Sequence, residues 1–194
     1  IKMDFYFTID ITGSAEYKDR GSKFFAYSYP IKSAEEFKKY LQALKKEHPR
    51  AVHYCFAYRI GFDGSNYRSG DDGEPAGTSG KQILGQIDSK NLTNILVVVV
   101  RYFGGTLLGV PGLIAAYKTS ASLVLQCTTI VQKAIEIHYV LLFDYTAMND
   151  VMLILKQYNC TIYKNETQLF CNLEVGIPRN GLNESVSALS ELQN

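Results

Sequence analysis

Several signatures are missing from this chain, and each absence removes a class of protein. None of its four cysteines, Cys55, Cys127, Cys160 and Cys171, forms a C-x-x-C pair, so zinc and dithiol redox motifs are unsupported. A disulfide framework is equally out of place in a chain with this much core-forming material, and the cysteines are expected to be buried, inert thiols. No apolar run approaches the ~18 residues of a membrane-spanning helix; the longest noted, Ile95 to Val100, has six. The Ile1 end lacks the basic-then-apolar layout of a signal peptide, so a cytoplasmic chain with no membrane partner is expected. A strong charge excess is missing too. Net charge is +1, with 46% hydrophobic and 20% charged residues, which argues against disorder and against a dedicated nucleic-acid binder. The distribution is uneven: residues 131–194 hold seven acidic and four basic side chains, leaving sixteen basic and twelve acidic before them. A nucleic-acid partner for the first part is permitted, not demanded.

The 194 residues suit one domain plus a small second one. Phe5 to Ile9 and Lys23 to Pro30 read as strands, with a polar stretch around Gly13 and Ser14 between them. Ser33 and Glu36 form a capping box that opens a helix whose apolar side carries Phe37, Tyr40, Leu41 and Leu44, and which stops at Pro49. Val52 to Ile60 reads as a strand followed by a hairpin turn at Gly61 to Asn66. Ile95 to Val100, with four successive valines, has the pattern of a central strand covered on both faces. Eleven of the fifteen glycines fall between Gly61 and Gly112, and glycine-rich loops tend to carry function. A helix is expected after Gly112, with Leu113, Ala116, Tyr117, Ser120, Leu123 and Val124 facing the sheet. Beyond a boundary near Thr128 to Gln132 the rhythm becomes βαββα: strand Ala134 to Phe143, helix Ala147 to Tyr158, strands Cys160 to Tyr163 and Leu169 to Ile177, and a helix after Gly181. That order is a split βαβ sandwich without its final strand: either the sequence is truncated or the sheet has three strands. The class is α+β, with domains at 1–130 and 131–194.

Two loops could carry chemistry. Arg101, Tyr102, Gly104, Gly105 and Gly109 lead from the central strand to a helix N-terminus, where free amides and the helix dipole suit a phosphate or carboxylate. Arg101 would add a charge-assisted contact, and Tyr102 and Phe103 would point to opposite sides, leaving one ring to stack on a base. Gly104 and Gly109 have the outer spacing of a Walker A loop, but Val110-Pro111 stand where Lys and Ser or Thr belong, and no G-x-G-x-x-G follows the strand. The bland alternative pairs Arg101 with a neighbouring carboxylate. In the second loop Asp71, Asp72 and Glu74 precede Thr78-Ser79-Gly80-Lys81, which opens a short helix through Ile83 and Leu84 capped by Thr78 or Ser79. The acids lack EF-hand spacing, and capping and ion pairing are favoured over a cation site. His53 and Cys55 share one face of a strand, but nothing nominates the third group or oxyanion hole of a cysteine nucleophile. His48 and His138 lie elsewhere, so no metal cluster assembles by spacing. No metal and no cofactor are expected, and no feature forces an enzyme; His53 is the weak catalytic candidate.

In order, Gly21-Ser22-Lys23-Phe24, the His53-Cys55-Ala57-Arg59 strand, Asp71 through Lys81, and Leu92-Thr93-Asn94 through Arg101-Tyr102-Phe103-Gly104-Gly105 to Leu108-Gly109 resemble the IMPACT family, in its YigZ-like bacterial branch. The resemblance covers essentially the whole chain. It implies an N-terminal domain of the βαβ ribosomal-protein and elongation-factor G type, a ferredoxin-like second domain, and translation-related regulation through RNA, the ribosome or a translation-associated protein. Arg101, Tyr102, Lys81 and Arg59 are then the expected contacts. The enzymatic alternative acts on a small phosphorylated or carboxylated metabolite, and a purely protein–protein module is the third. Two positions depart from the family pattern: Ala115 replaces an Arg before Ala116-Tyr117, and Pro111-Gly112 replaces Gly-Gly. The first implies one basic contact fewer; Pro111 suits a first helical turn.

Overall fold

The computed structural model describes residues 4–168 and 170–192. They form two compact units, one of residues 6–132 and one of residues 133–192 with Asp4 and Phe5. The strands are β1 (Phe5–Ile9), β2 (Gly13–Asp19), β3 (Ser22–Pro30), β4 (His53–Ile60), β5 (Asn66–Gly70), β6 (Ile95–Tyr102), β7 (Ile130–Ala134), β8 (Glu136–Asp144), β9 (Thr161–Thr167) and β10 (Phe170–Pro178). The helices are α1 (Ala34–Glu47), α2 (Gly80–Ser89), α3 (Gly109–Gln126), α4 (Met148–Gln157) and α5 (Leu182–Glu191). The architecture is mixed α/β.

In the first unit five strands form one antiparallel sheet in the order β2-β3-β6-β4-β5, while β1 and β7 make a separate two-stranded ribbon. The valine strand β6 is central and Ile95 to Val100 are fully buried. A continuous apolar run is what a strand covered on both faces requires. Its Ile95, Val97 and Val99 join the core under α2 and α3 with Phe24, Tyr117 and Val124. Its Leu96, Val98 and Val100 join the core under α1 with Phe37 and Leu44.

The Ser33 hydroxyl caps α1 by accepting from the Glu36 amide (3.3 Å), but the Glu36 carboxylate reaches the Lys32 amide rather than that of Ser33. The polar stretch around Gly13 is a strand, β2. As an edge strand exposed in part on both faces, it carries no clean apolar alternation for a sequence reading to catch.

The second unit has a three-stranded antiparallel sheet among the described residues, in the order β8-β10-β9. Helices α4 and α5 lie on one face, with Val151 and Leu155 packed on Leu173, Val175 and Ile177. β9 runs to Thr167, past the Tyr163 end expected for it, and Leu169 lies outside the described residues. No described helix is long and apolar enough to cross a membrane.

Candidate functional site

The register of the large sheet sets one row of side chains. Phe24 on β3 and His53 on β4 both lie opposite Arg101 of β6, on the face that carries α2 and α3. Arg101 is 5% exposed. Its Nη1 donates to Oε1 of Glu74 (2.6 Å) and its Nη2 to the Ser22 hydroxyl (3.3 Å), and the guanidinium carbon sits 5.6 and 5.8 Å from the Phe24 and Phe103 ring centroids. Arg101 Nε has no hydrogen-bond partner among the described residues. Tyr117, reaching down from α3, donates its hydroxyl to the same Glu74 Oε1 (2.7 Å) and packs edge-on against Phe24 (5.3 Å between centroids). Burial first, then its proximity to the Cys55 thiol and the Glu74 carboxylate, pushes the Tyr117 hydroxyl far above the usual phenol range, so it stays a donor. Glu74, 8% exposed, is therefore the hub: Oε1 serves two side chains and Oε2 takes none among the described residues.

His53 lies beside this hub. Its Nδ1 is 2.8 Å from the Asp72 carbonyl oxygen, which can only accept, so Nδ1 carries a proton and Nε2 is the ring nitrogen left for other contacts. That nitrogen is 3.8 Å from Glu74 Oε1. Cys55 donates its thiol to the Asp71 carbonyl (3.0 Å), and burial pushes that thiol up to about 12, which makes it an inert core group rather than a nucleophile.

Asp71 is a structural anchor. Its carboxylate accepts from the Gly77, Ser79 and Gly80 amides (2.8, 3.2 and 2.8 Å) and the Ser79 hydroxyl (2.7 Å). Burial alone would raise this carboxyl, and the donors outweigh it and hold it below the usual range. The expected cap of α2 by Thr78 or Ser79 is corrected accordingly. The Thr78 hydroxyl turns back to the Pro75 carbonyl (2.7 Å) and that of Ser79 to Asp71. Both residues are buried, and the acid eight residues upstream of Ser79 caps the helix. Asp72 Oδ2 accepts from the Tyr54 amide (2.7 Å).

The glycine loop after β6 packs chain on chain. A Cβ on Gly104 would overlap the backbone of Gly21 and Ser22, so this glycine answers to a backbone crossing. α3 begins at Gly109 rather than after Gly112, which puts Pro111 in its first turn. Arg20 Nη2 donates to the Leu108 carbonyl (3.1 Å). Between this helix start and the Glu74 hub opens a cavity of about 420 Å³. Its apolar walls are Val52, Pro75, Phe103, Leu107, Val110 and Leu113, and its polar lining is His53, Glu74 and Arg101. Phe103, Leu107 and Val110 stand out into solvent, Leu107 at 82% exposure.

The remaining named residues lie apart from the cavity. Tyr102 points to the α1 face, its hydroxyl 2.9 Å from His48 Nδ1. Arg59 is opposite Ile95 on β6, six positions and so about 20 Å from Arg101, and its guanidinium is engaged by Asp88 (2.7 and 3.1 Å) and the Gly64 carbonyl (2.7 Å). Lys81 is exposed in the first turn of α2, Gly105 lies in the open loop, and Ala115 is exposed on α3. Cys127, expected to be buried, is exposed at the C-terminal end of α3, while Cys55 and Cys171 are buried. Ser22 and Tyr117 were legible only as motif or packing residues. The apolar walls did leave a signal, since Phe103, Leu107 and Val110 are large apolar side chains in a glycine loop with no core periodicity.

A mixed α/β unit with a buried Arg–Glu–Tyr hub beneath a glycine loop is the class these features define. The Impact N-terminal domain model matches residues 20–125, and the chain belongs to the IMPACT family. It is 33% identical over 172 residues to the IMPACT family member YigZ of Escherichia coli, covering 88% of this chain and 84% of that one. It is 38% identical over 117 residues to the IMPACT family member YvyE of Bacillus subtilis, covering 60% and 54%. Among solved structures, the crystal structure of a hypothetical protein superposes with a TM-score of 0.76 at 30% identity, covering 98% of this chain and 94% of that one.

Proposed function

We propose that this chain is a non-enzymatic, translation-associated regulator that works in the cytoplasm by binding, and that its 6–132 unit meets a protein of the translation apparatus through the cavity beside Glu74. The observation that carries this reading is the contrast in what is available for contact. Arg101 and Arg59, two of the cations that would hold RNA phosphates, are engaged by Glu74 and Asp88, whereas Phe103, Leu107 and Val110 are exposed around an apolar recess. Exposed apolar side chains around a recess favour a protein surface over a phosphate backbone. The inert Cys55 thiol speaks against a Cys–His nucleophile. In the same reading the first unit is of the ribosomal-protein and elongation-factor G type. The second is ferredoxin-like, because the order β8-β10-β9 is the 1-3-2 part of a split βαβ sheet.

The test is affinity capture of the tagged chain from a lysate of its source cells, with and without nuclease, and identification of what is retained. Ribosomal proteins or translation factors that survive nuclease treatment are the expected result. Retention that disappears with nuclease and falls steeply between low and moderate salt would transfer the role to RNA, and a capture without any translation component would remove it altogether.

A further inference from the structure

We infer that the cavity of the 6–132 unit takes a short segment of a partner protein in which a large apolar side chain is followed by an acidic one, whose carboxylate meets Arg101 and the start of α3. The inference rests on the protein-partner reading above and names the chemistry of the contact. Its first ground is Arg101 itself. The residue lines the cavity, is more than nine-tenths buried, and keeps an Nε–H with no acceptor among the described residues, although Nη1 and Nη2 are held by Glu74 and Ser22. A buried donor without a partner is costly, and a charged acceptor from a ligand relieves it. The second ground is independent of the first. Leu108, Gly109 and Val110, where the 18-residue helix α3 begins, line the same cavity. No side chain caps that helix, and the Gly109 and Val110 amides have no backbone acceptor among the described residues. Unpaired amides and the positive end of the helix dipole therefore lie at the cavity wall.

Charge sets the kind of group that fits. Arg101 and Glu74 offset each other at 2.6 Å, so the cavity offers one guanidinium donor and the partial charge of a helix end rather than a free cation. That suits a single carboxylate. A phosphate dianion would meet the Glu74 carboxylate with no free cation to offset it, and a ligand ammonium or guanidinium would set donor against donor at Arg101 Nε and the α3 amides. Shape and lining supply the apolar half of the segment. Val52, just before β4, and Phe103, Leu107 and Val110, after β6, come from separate stretches of chain and are all exposed at the cavity. A peptide laid across it touches both stretches, which a chain end entering the cavity does not need. The volume of about 420 Å³ accommodates one large aliphatic side chain and the carboxylate of its neighbour.

The experiment is a titration of the whole chain, ¹⁵N-labelled, with acetyl-Gly-Leu-Glu-Gly-amide, the same peptide with glutamine, the same peptide with arginine, acetyl-leucine, whose carboxylate is terminal, and inorganic phosphate. The Arg101 Nε–H signal reports the contact directly, and the Gly109 and Val110 amides report the helix start. Saturable shifts of all three are expected with the glutamate peptide. Binding should be about tenfold weaker for glutamine, weaker also for acetyl-leucine and phosphate, and absent for arginine. Arg101→Lys keeps a cation opposite Glu74, removes Nε, and should abolish the preference for glutamate over glutamine. Because that variant alters a buried pair, the parent's Nε–H signal keeps the test independent of its folding, and Leu107→Ser at an exposed position should weaken every peptide that binds. Equal affinity for the glutamate and glutamine peptides, equal or stronger binding of the arginine peptide, binding that leaves the Arg101 Nε–H signal unmoved, or no shift at all would overturn the inference. Tighter binding of acetyl-leucine or phosphate than of the glutamate peptide would overturn it too, in favour of a chain end, a free acid or a nucleic-acid backbone. None of the peptide outcomes touches the capture experiment, which can still return a translation protein bound elsewhere.

Discussion

The loop from Asp71 to Gly80 and the loop from Phe103 to Leu108 are both glycine-punctuated, both border the same cavity, and differ in what holds them. The first is tied by the Asp71 carboxylate, by the Cys55 thiol on the Asp71 carbonyl and by the Asp72 contact to Tyr54. In the second the Gly104 amide donates to the Ser22 hydroxyl (3.3 Å) and Arg20 clasps the Leu108 carbonyl, and the loop shows apolar side chains to solvent. Similar composition thus yields a wall fixed by polar bonds and a wall left available for a partner. Glu74 joins them, since it leaves the first loop to meet Arg101 just before the second begins.

Substitutions at the joint should break the contrast most severely. Arg101→Met leaves a buried carboxylate and a buried tyrosine hydroxyl to each other and is predicted to cost ~3–5 kcal/mol in urea unfolding. Arg101→Met combined with Glu74→Leu should cost less than either alone, because no uncompensated charge remains. Within the first loop, Asp71→Ala strips four donors of their shared acceptor and is predicted to cost about 3 kcal/mol, with loss of amide-exchange protection at the start of α2.

Cys55 offers a pH test of the same wall. Its thiol is pushed up from 9.0 to about 12, so the folded state keeps the proton that the unfolded chain loses. The stabilisation is complete below pH ~9 and declines as pH rises toward the folded value, reaching about 2 kcal/mol by pH ~10.5. The Cys55→Ala variant should lack that share of the alkaline decline, measured as unfolding free energy against pH. In the second loop, Leu107→Ser should change stability by less than ~0.5 kcal/mol, which would mark the wall as dispensable for the fold.

How much of this was legible in the sequence follows from what each element depends on. β6 could be read because a strand buried on both faces must be apolar at every position, and α1 because its cap and apolar stripe are local. β2 could not, because an edge strand's neighbours, not its own residues, make it a strand. The same division runs through the site. The loops bearing Arg101, Asp71, Asp72 and Glu74 stood out by composition, and the pairing of Arg101 with a carboxylate was one of the two readings its charge allowed. Which acid it met was set by register and by a separation of 27 residues, which no local pattern encodes. Asp71 as cap for a helix that begins at Gly80 is likewise a long-loop contact. Arg59 was grouped with Arg101 by motif, yet six strand positions separate them.

The most direct measurement is co-capture of translation proteins, after nuclease, by two surface variants compared with the parent chain. The double variant Leu107→Ser/Val110→Ser should retain about tenfold less of the partner, or lose it, while Lys81→Ala/Arg59→Ala stays within roughly twofold of the parent. The reverse pattern, with retention kept in the first variant and lost in the second, would contradict a protein-binding cavity and return the role to the basic residues.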